Sequence, residues 1–236
     1  MTASSRSCPS PADLAWRGIG AGPEGPAAVP GGPAVAVIAC GALAGAVRSI
    51  ASRRGWQVEL HPLTALLHDR PERIAPLVAS LAARLAAGGR RVGVAYADCG
   101  TYGALDAVCA QLGLERLPGL HCYDLLAGPE AVAGLLEEEP GTYLLTDFLV
   151  SSFARTVAAE LGLDRRPELA SDYFAHYRRV VWLSEGPTPR LEAEAEGIAE
   201  RLGLPLVTLV VGRSRLERAL EALVAGGSGR KLDPRA

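Results

Sequence analysis

Short apolar runs alternate with segments of helical periodicity between residues 34 and 225. The first run, Ala34–Ala39, is apolar on both faces, as is typical of a strand covered on both sides in a parallel sheet. Residues 71–87 then place apolar side chains at helical spacing before Gly88-Gly89. Strands that alternate with helices favour right-handed crossovers. The predicted fold is therefore an α/β, three-layer Rossmann-like sandwich, with a largely parallel sheet of about seven strands and helices on both faces.

The same patterns predict the bounds of the individual elements. Strands are expected at 34–39, 56–60, 91–97, 117–120, 141–146, 179–183 and 205–211. Helices are expected at 42–53, 71–87, 101–112, 129–138, 148–161, 167–177, 190–202 and 214–224. Asp147 and Ser214 stand where each can cap the helix that follows.

Both ends of the chain differ in composition from its middle. Residues 1–33, which include Cys8, are rich in Pro, Gly, Ala and Ser and contain few large apolar groups that could repay the entropy of ordering. We therefore expect a disordered arm at 1–33, a single domain at 34–225 and a disordered polar tail at 226–236.

The charge pattern argues against several functions. The formal charge of -2 gives no general attraction to nucleic acid or to an anionic membrane. All but one of the 24 basic residues are arginine, and the only lysine, Lys231, lies in the tail, which argues against a P-loop or Schiff-base lysine. The chain has no apolar run of the roughly 20 residues that span a bilayer. Five cysteines without a dense pattern fit reduced thiols, so we expect a cytoplasmic protein.

Three cysteines stand at junctions of one kind. Cys40, Cys99 and Cys122 each follow a predicted strand and precede a helix. The carboxyl ends of parallel strands face the crevice where ligands bind, and a helix N-terminus favours a thiolate. Thiolates bind zinc and iron-sulfur clusters, so the sequence predicts a metal centre of one of these kinds. Since the chain has no CxxC pair, its ligands would come from distant segments.

Two histidines could complete this centre. His68 precedes a predicted helix, and His121 is adjacent to Cys122. Both are candidate ligands, although His68 could equally form a local hydrogen bond. A single cysteine is more often buried for packing, and we interpret Cys109 in that way.

The turn after the third predicted strand offers a different function. Backbone amides around Gly100 and Thr101, with Asp98 beside them, could hold a phosphate or carboxylate at a helix N-terminus. The alternative to a metalloprotein is therefore a Rossmann-like module that binds a small molecule or nucleotide, with incidental cysteines. Asp98 and Asp124 are acids near the proposed site, and the alternative for both is a role as helix caps.

The chain resembles a known family at these residues. The resemblance rests on Ile38-Ala-Cys-Gly41, His68 with Pro71-Glu72, Tyr96-Ala-Asp-Cys-Gly100, Leu117-Pro118 with Cys122, Gly128, and Gly141-Thr-Tyr143. In their order and spacing these motifs are similar to those of domain-of-unknown-function family 1638, over roughly residues 34–150. Matched by position, the family's recurring cysteines are Cys40, Cys99 and Cys122, and its histidine is His68.

The resemblance implies partners but no mechanism. Members of the family look like companions of corrinoid-dependent methyltransferase systems, which implies a small-molecule substrate, methyltransferase components as partners and a role in one-carbon metabolism. The chain departs from the family at three places, one of which is Asp147-Phe148, where the family usually has Gly-Trp after the fifth strand. Gly41 and His121 stand where acids are expected, so His121 is a candidate replacement ligand.

Overall fold

A computed structural model describes residues 35–226. The arm at 1–33, with Cys8, and the tail from 227 onward lie outside the described residues. Within them the chain forms two compact units, one of residues 35–95 and 101–115 and the other of residues 96–100 and 116–226. No helix in the described part is long and apolar enough to cross a lipid bilayer.

The first unit is built around a buried parallel strand. Its strands are β1 (Val35–Cys40), β2 (Val58–Leu63) and β3 (Arg91–Ala95). The two-residue β4 (Glu115–Arg116), whose second residue is assigned to the other unit, completes the sheet order β2-β1-β3-β4. β1 pairs in parallel with both β2 and β3, and its residues are all buried. The apolar run predicted at 34–39 is thus a strand inside the sheet, as its two apolar faces predict.

Helices connect these strands. They are α1 (Gly41–Arg54), α2 (Ile74–Ala87) and α3 (Ala104–Leu112), with 3-10 helices at Ala65–Asp69 and Pro71–Arg73. α1 ends at Gly55, whose φ of 65° is the left-handed conformation that glycine adopts without strain. α3 begins three residues later than predicted, because the turn from Cys99 to Gly103 contains residues with positive φ, which a helix does not accommodate.

The second unit contains a parallel sheet of three strands. β5 (Thr142–Thr146), β6 (Arg179–Ser184) and β7 (Leu206–Val210) lie in that order. Its helices are α4 (Cys122–Leu126), α5 (Pro129–Glu138), α6 (Asp147–Ser152), α7 (Val157–Glu160), α8 (Ala170–Tyr173), α9 (Pro189–Leu202) and α10 (Ser214–Ala225), with a 3-10 helix at Pro167–Leu169. The core on one side of β6 contains Trp182, which is fully buried. Leu145, Phe153 and Ile198 belong to the same buried cluster.

The α/β class and the parallel pairing are therefore confirmed, and the described strands fall into sheets of four and three. The strand predicted at 117–120 is wrong, because Pro118 has no N–H to donate and Gly119 has a φ of 99°. The helix predicted at 148–161 is two helices, α6 and α7. The Ser152 carbonyl at the end of α6 accepts from the N–H groups of Arg155 and Thr156 and from the Thr156 hydroxyl. The helix predicted at 167–177 is a 3-10 turn followed by α8.

Candidate functional site

Cys40 lies at the junction of β1 and α1. It is the last residue of the strand and the N-cap of a 14-residue helix, and it is fully buried. The N-terminal amides of a helix carry partial positive charge, so they stabilise a thiolate relative to a thiol.

His68 contacts this sulfur from a separate segment. It lies in the 3-10 helix Ala65–Asp69, whose first turn is capped by the Thr64 hydroxyl, which accepts from the N–H of Leu66 at 3.3 Å. His68 Nε2 lies 3.8 Å from Cys40 Sγ, and His68 Nδ1 lies 2.7 Å from the Ala65 carbonyl oxygen. Since a carbonyl oxygen only accepts, Nδ1 carries a proton and donates it there. In the neutral ring, Nε2 then directs its lone pair at Cys40.

This spacing suits a shared metal ion. Zinc held at about 2.3 Å from sulfur and about 2.0 Å from nitrogen, with a tetrahedral angle, separates the two ligand atoms by roughly 3.5 Å. The observed 3.8 Å lies close to that value. A ligating histidine commonly donates its other ring N–H to a carbonyl, as His68 does here. The same distance is that of an S–H···N hydrogen bond between the two side chains, and it is compatible with two ligands of one ion.

Cys99 lies in the second unit, in a turn with unusual backbone geometry. Its φ is 52°, and Gly100, Tyr102 and Gly103 also have positive φ. The N–H of Cys99 donates to the Leu120 carbonyl at 2.8 Å, so the backbone around Cys99 is joined to the segment before Cys122. A non-glycine residue held at positive φ costs free energy and persists only where surrounding contacts fix it.

The segment before Cys122 is fixed by Asp124. The buried carboxylate of Asp124 accepts from the N–H groups of Leu120 at 2.7 Å and His121 at 3.2 Å. Asp124 is therefore the helix-capping acid that one interpretation of the sequence expected. The His121 side chain is exposed, and its ring centroid lies 6.4 Å from that of Tyr123.

Tyr123, which follows Cys122 in α4, is a half-buried phenol with a raised pKa. Burial raises the pKa of its phenol, and Cys122 and Cys99 add to that rise, as do Tyr143 and Tyr177. The phenol donates a hydrogen bond of 3.5 Å to the Leu144 carbonyl.

The structure thus brings Cys40 and His68 together in the first unit and places Cys99, His121 and Cys122 in the second. Within residues 35–226, no group of three or more His, Cys, Asp or Glu side chains is arranged to hold a metal ion. A single centre with all three thiols stays a prediction. Cys109 is buried on α3, in agreement with a packing role.

The residues predicted to bind an anion have structural contacts of their own. The Thr101 hydroxyl is buried and accepts from the N–H of Leu105 at 3.3 Å, so it satisfies one amide at the start of α3. Gly100 has a φ of 82°, and the N–H of Asp98 donates to the Gly119 carbonyl at 3.0 Å. A cofactor role for Asp98, Gly100 and Thr101 stays a prediction.

A polar cluster at the carboxyl ends of β5, β6 and β7 was not predicted from the sequence. Asp147 accepts from Trp182 Nε1 at 2.9 Å and from the Glu185 N–H at 3.2 Å, and Arg213 Nε donates to Glu185 at 2.6 Å. Burial raises the pKa of Asp147, although the hydrogen bond from Trp182 opposes the rise. Burial likewise raises the pKa of Glu185 against the opposing effect of Arg213. An acid directly after a strand was the available signal. The prediction that Asp147 caps the helix is wrong, because the Thr146 hydroxyl caps α6.

Parallel strands connected by helices, with a thiol and an imidazole in contact at the carboxyl end of one strand, define an α/β protein with a candidate ligand site. The chain belongs to the family described as protein of unknown function, DUF1638, whose model matches residues 63–220. The matched range includes His68, Cys99 and Cys122 and begins after Cys40. No curated protein and no solved structure matches the chain.

Proposed function

We propose that the first unit binds a soft transition-metal ion, best suited to zinc, with Cys40 and His68 as protein ligands. The observation that carries the proposal is the distance of 3.8 Å between Cys40 Sγ and His68 Nε2. The fixed tautomer of His68 and the helix N-terminus at Cys40 support it, because both favour the forms of these side chains that bind a metal. A mixed sulfur and nitrogen ligand pair suits zinc better than an iron-sulfur cluster, which is usually held by several thiolates.

Two protein ligands leave open positions on a tetrahedral ion. Such an ion is available to a thiol, a carboxylate or a substrate that carries a methyl group, which it would polarise as a Lewis acid. Open positions favour a metal-dependent enzyme or an accessory factor over a purely structural zinc site, and the family resemblance implies that its setting is corrinoid-linked one-carbon metabolism. The contribution of Cys99, Cys122 and His121 to the same ion stays a prediction, as does the partnership with methyltransferase components.

The test is zinc affinity in ligand variants. Protein purified without oxygen and stripped with a chelator is titrated with zinc chloride, alongside Cys40→Ser and His68→Ala. Each variant is expected to bind zinc at least about tenfold more weakly, which corresponds to about 1.4 kcal/mol. Cys109→Ser and His61→Gln are matched controls, since each removes a side chain of the same type elsewhere in the first unit.

Cobalt(II) gives a second readout. A thiolate ligand produces a sulfur-to-cobalt charge-transfer band that Cys40→Ser should abolish and Cys109→Ser should retain. Unchanged zinc affinity in both Cys40→Ser and His68→Ala would exclude this metal site. A chain that binds no metal but gains thermal stability from nucleotides would instead support the alternative, a Rossmann-like small-molecule module. Parallel titrations of Cys99→Ser and Cys122→Ser test the prediction of a three-thiol centre.

A further inference from the structure

The outer strand of the second unit's sheet exposes apolar side chains. β7 stands last in the order β5-β6-β7, and among the described residues its ladder partner is β6. Val207 is 45% exposed, Leu209 37% and Val210 62%. Apolar residues on both faces of an edge strand leave a surface that another strand could cover.

The direction of the β7 backbone follows from its contacts with β6. The Pro205 carbonyl accepts from the Val180 N–H, and the Val211 N–H donates to the Ser184 carbonyl. Backbone groups alternate in direction along a strand, so residues 207 and 209 also turn theirs toward β6. Leu206, Thr208 and Val210 therefore turn their N–H and C=O groups outward, away from the sheet.

The segment around β7 also has no charge. Residues 202–212 include no Asp, Glu, Lys or Arg, although charged residues make up 21% of the chain. Natural edge strands usually carry charges that prevent pairing with another strand. When two identical strands pair about a two-fold axis, a charged side chain near the axis lies close to the same charge on the other strand and is repelled by it. A strand without charges avoids this repulsion and can pair with a second copy of itself.

We propose that β7 pairs with β7 of a second copy of this chain, antiparallel and about a two-fold axis at Thr208. This register is the one in which all three outward-facing residues pair, with Thr208 opposite Thr208 and Leu206 opposite Val210. Each of these opposed pairs can exchange two backbone hydrogen bonds. Val207 then faces Leu209 on the other side of the sheet, so aliphatic side chains meet aliphatic side chains on both faces.

The size of the contact sets its strength. A stable protein interface buries about 1,200–2,000 Å² in total, and one pair of five-residue strands supplies only a part of that area. The dimer is therefore concentration-dependent, with a dissociation constant on the order of micromolar. Its formation joins two three-stranded sheets into one continuous sheet of the two copies.

The test measures mass and amide protection in the full-length chain. Sedimentation over a range of concentrations should show wild type shifting from one chain mass to twice that mass. Thr208→Lys places two like charges opposite each other at the axis and should keep the protein monomeric at least tenfold higher in concentration. Leu136→Lys is the matched control, because Leu136 is an exposed apolar residue on α5, 39% exposed, and its replacement should leave the mass distribution unchanged.

Hydrogen exchange of the wild type keeps the test independent of the variant's folding. The amides of Leu206, Thr208 and Val210 should exchange at least several-fold more slowly at high protein concentration than at low concentration, whereas those of Val207 and Leu209 should change little. A wild type that stays monomeric, or a dimer in which these three amides gain no protection, overturns the proposal. So does a dimer that a folded Thr208→Lys variant forms equally well.

Discussion

Gly41 and Leu63 approach each other so closely that a Cβ atom on Gly41 would lie 2.7 Å from the Leu63 carbonyl oxygen. The same Cβ would lie 2.8 Å from the Ala65 nitrogen. Gly41 follows Cys40, and Leu63 leads into the 3-10 helix that carries His68. A residue with no side chain at position 41 thus allows the two candidate ligands to meet. It also explains why the acid expected there from the family resemblance does not fit this chain.

Gly41→Ala should therefore weaken zinc binding and destabilise the first unit. The added methyl group contacts backbone atoms, which cannot rotate away, and such overpacking typically costs about 1–3 kcal/mol. Gly45→Ala, in the same helix, is the control, because no atom lies within 4 Å of its Cβ position. It should stabilise the protein by about 0.5–1 kcal/mol, through the lower backbone entropy of alanine. Urea unfolding and zinc titration of both variants check the prediction; equal effects of the two would contradict it.

Arg179 should contribute strongly to the stability of the second unit. Its guanidinium donates to Thr142 Oγ1, the Leu135 carbonyl and Glu138 Oε2, each at 2.9 Å, and its side chain is 17% exposed. A hydrogen bond from a charged group contributes about 1.5–3 kcal/mol when truncation leaves its partner unpaired, and the contributions do not add here because water replaces the guanidinium at Glu138, which is 68% exposed. We expect Arg179→Ala to lower the free energy of unfolding by about 2–3 kcal/mol in urea titrations.

Arg190 offers a matched comparison for that variant. It pairs with Glu194 one helical turn away at 2.8 Å, but its side chain is 79% exposed. Water competes for such a pair, so Arg190→Ala should change stability little. Equal losses from the two arginine variants would show that burial does not govern these interactions.

Local sequence signals were sufficient for elements that begin and end on strong chemical markers. The helix predicted at 129–138 matches α5 in both bounds, because Pro129 suits a first turn. The helix predicted from Thr101 begins at Ala104, since positive φ values at Cys99 and Tyr102 reflect contacts that no local pattern records. α4 was missed for a related reason: it is five residues long and depends on the Asp124 carboxylate.

The candidate site was predictable in part. The strand-to-helix junction of Cys40 follows from apolar periodicity, which places its sulfur at the carboxyl end of a buried strand. The contact of Cys40 with His68 depends on the path of the chain after β2, where Thr64 caps a short 3-10 helix. The cluster of Asp147 and Glu185 was missed because it depends on which strands are neighbours, and sequence periodicity does not give strand order.

Glu185 should make stability depend on pH. Burial raises the pKa of its carboxyl above the ordinary value of 4.5, and the nearby Asp147 adds to the rise, against the opposing effect of Arg213. An acid with a raised pKa in the folded state binds its proton more tightly there than in the unfolded chain. Its contribution to stability is therefore present below pH 4.5 and is lost as the pH rises through the folded-state pKa.

Glu185→Gln keeps an acceptor for Arg213 but cannot ionise. Relative to wild type, this variant should become progressively more stable as the pH rises from 4.5 to 7, measured by urea unfolding at several pH values. Glu196→Gln removes an exposed carboxylate on α9 and controls for the change in net charge. A relative stability that falls with pH would mean that the pairing with Arg213 outweighs burial.

Gly141, one of the residues that carry the family resemblance, should prove structural. A Cβ there would lie 2.8 Å from Arg178 Cγ, 2.9 Å from the His176 carbonyl oxygen and 3.0 Å from the Arg178 nitrogen. The Gly141 carbonyl also accepts from the Arg178 N–H at 2.7 Å, so the residue before β5 and the residue before β6 are held together. Gly141→Ala must push these segments apart and should cost about 1–3 kcal/mol of unfolding free energy.

Gly134→Ala is the control for that variant, because Gly134 lies within α5 and has no atom within 4 Å of its Cβ position. It should raise the urea midpoint, in line with a gain of about 0.5–1 kcal/mol, whereas Gly141→Ala lowers it. Zinc affinity should stay at the wild-type value in both, since Gly141 and Gly134 belong to the second unit and the proposed ligands to the first. A Gly141→Ala protein with normal stability but altered zinc affinity would assign this residue to function rather than to packing.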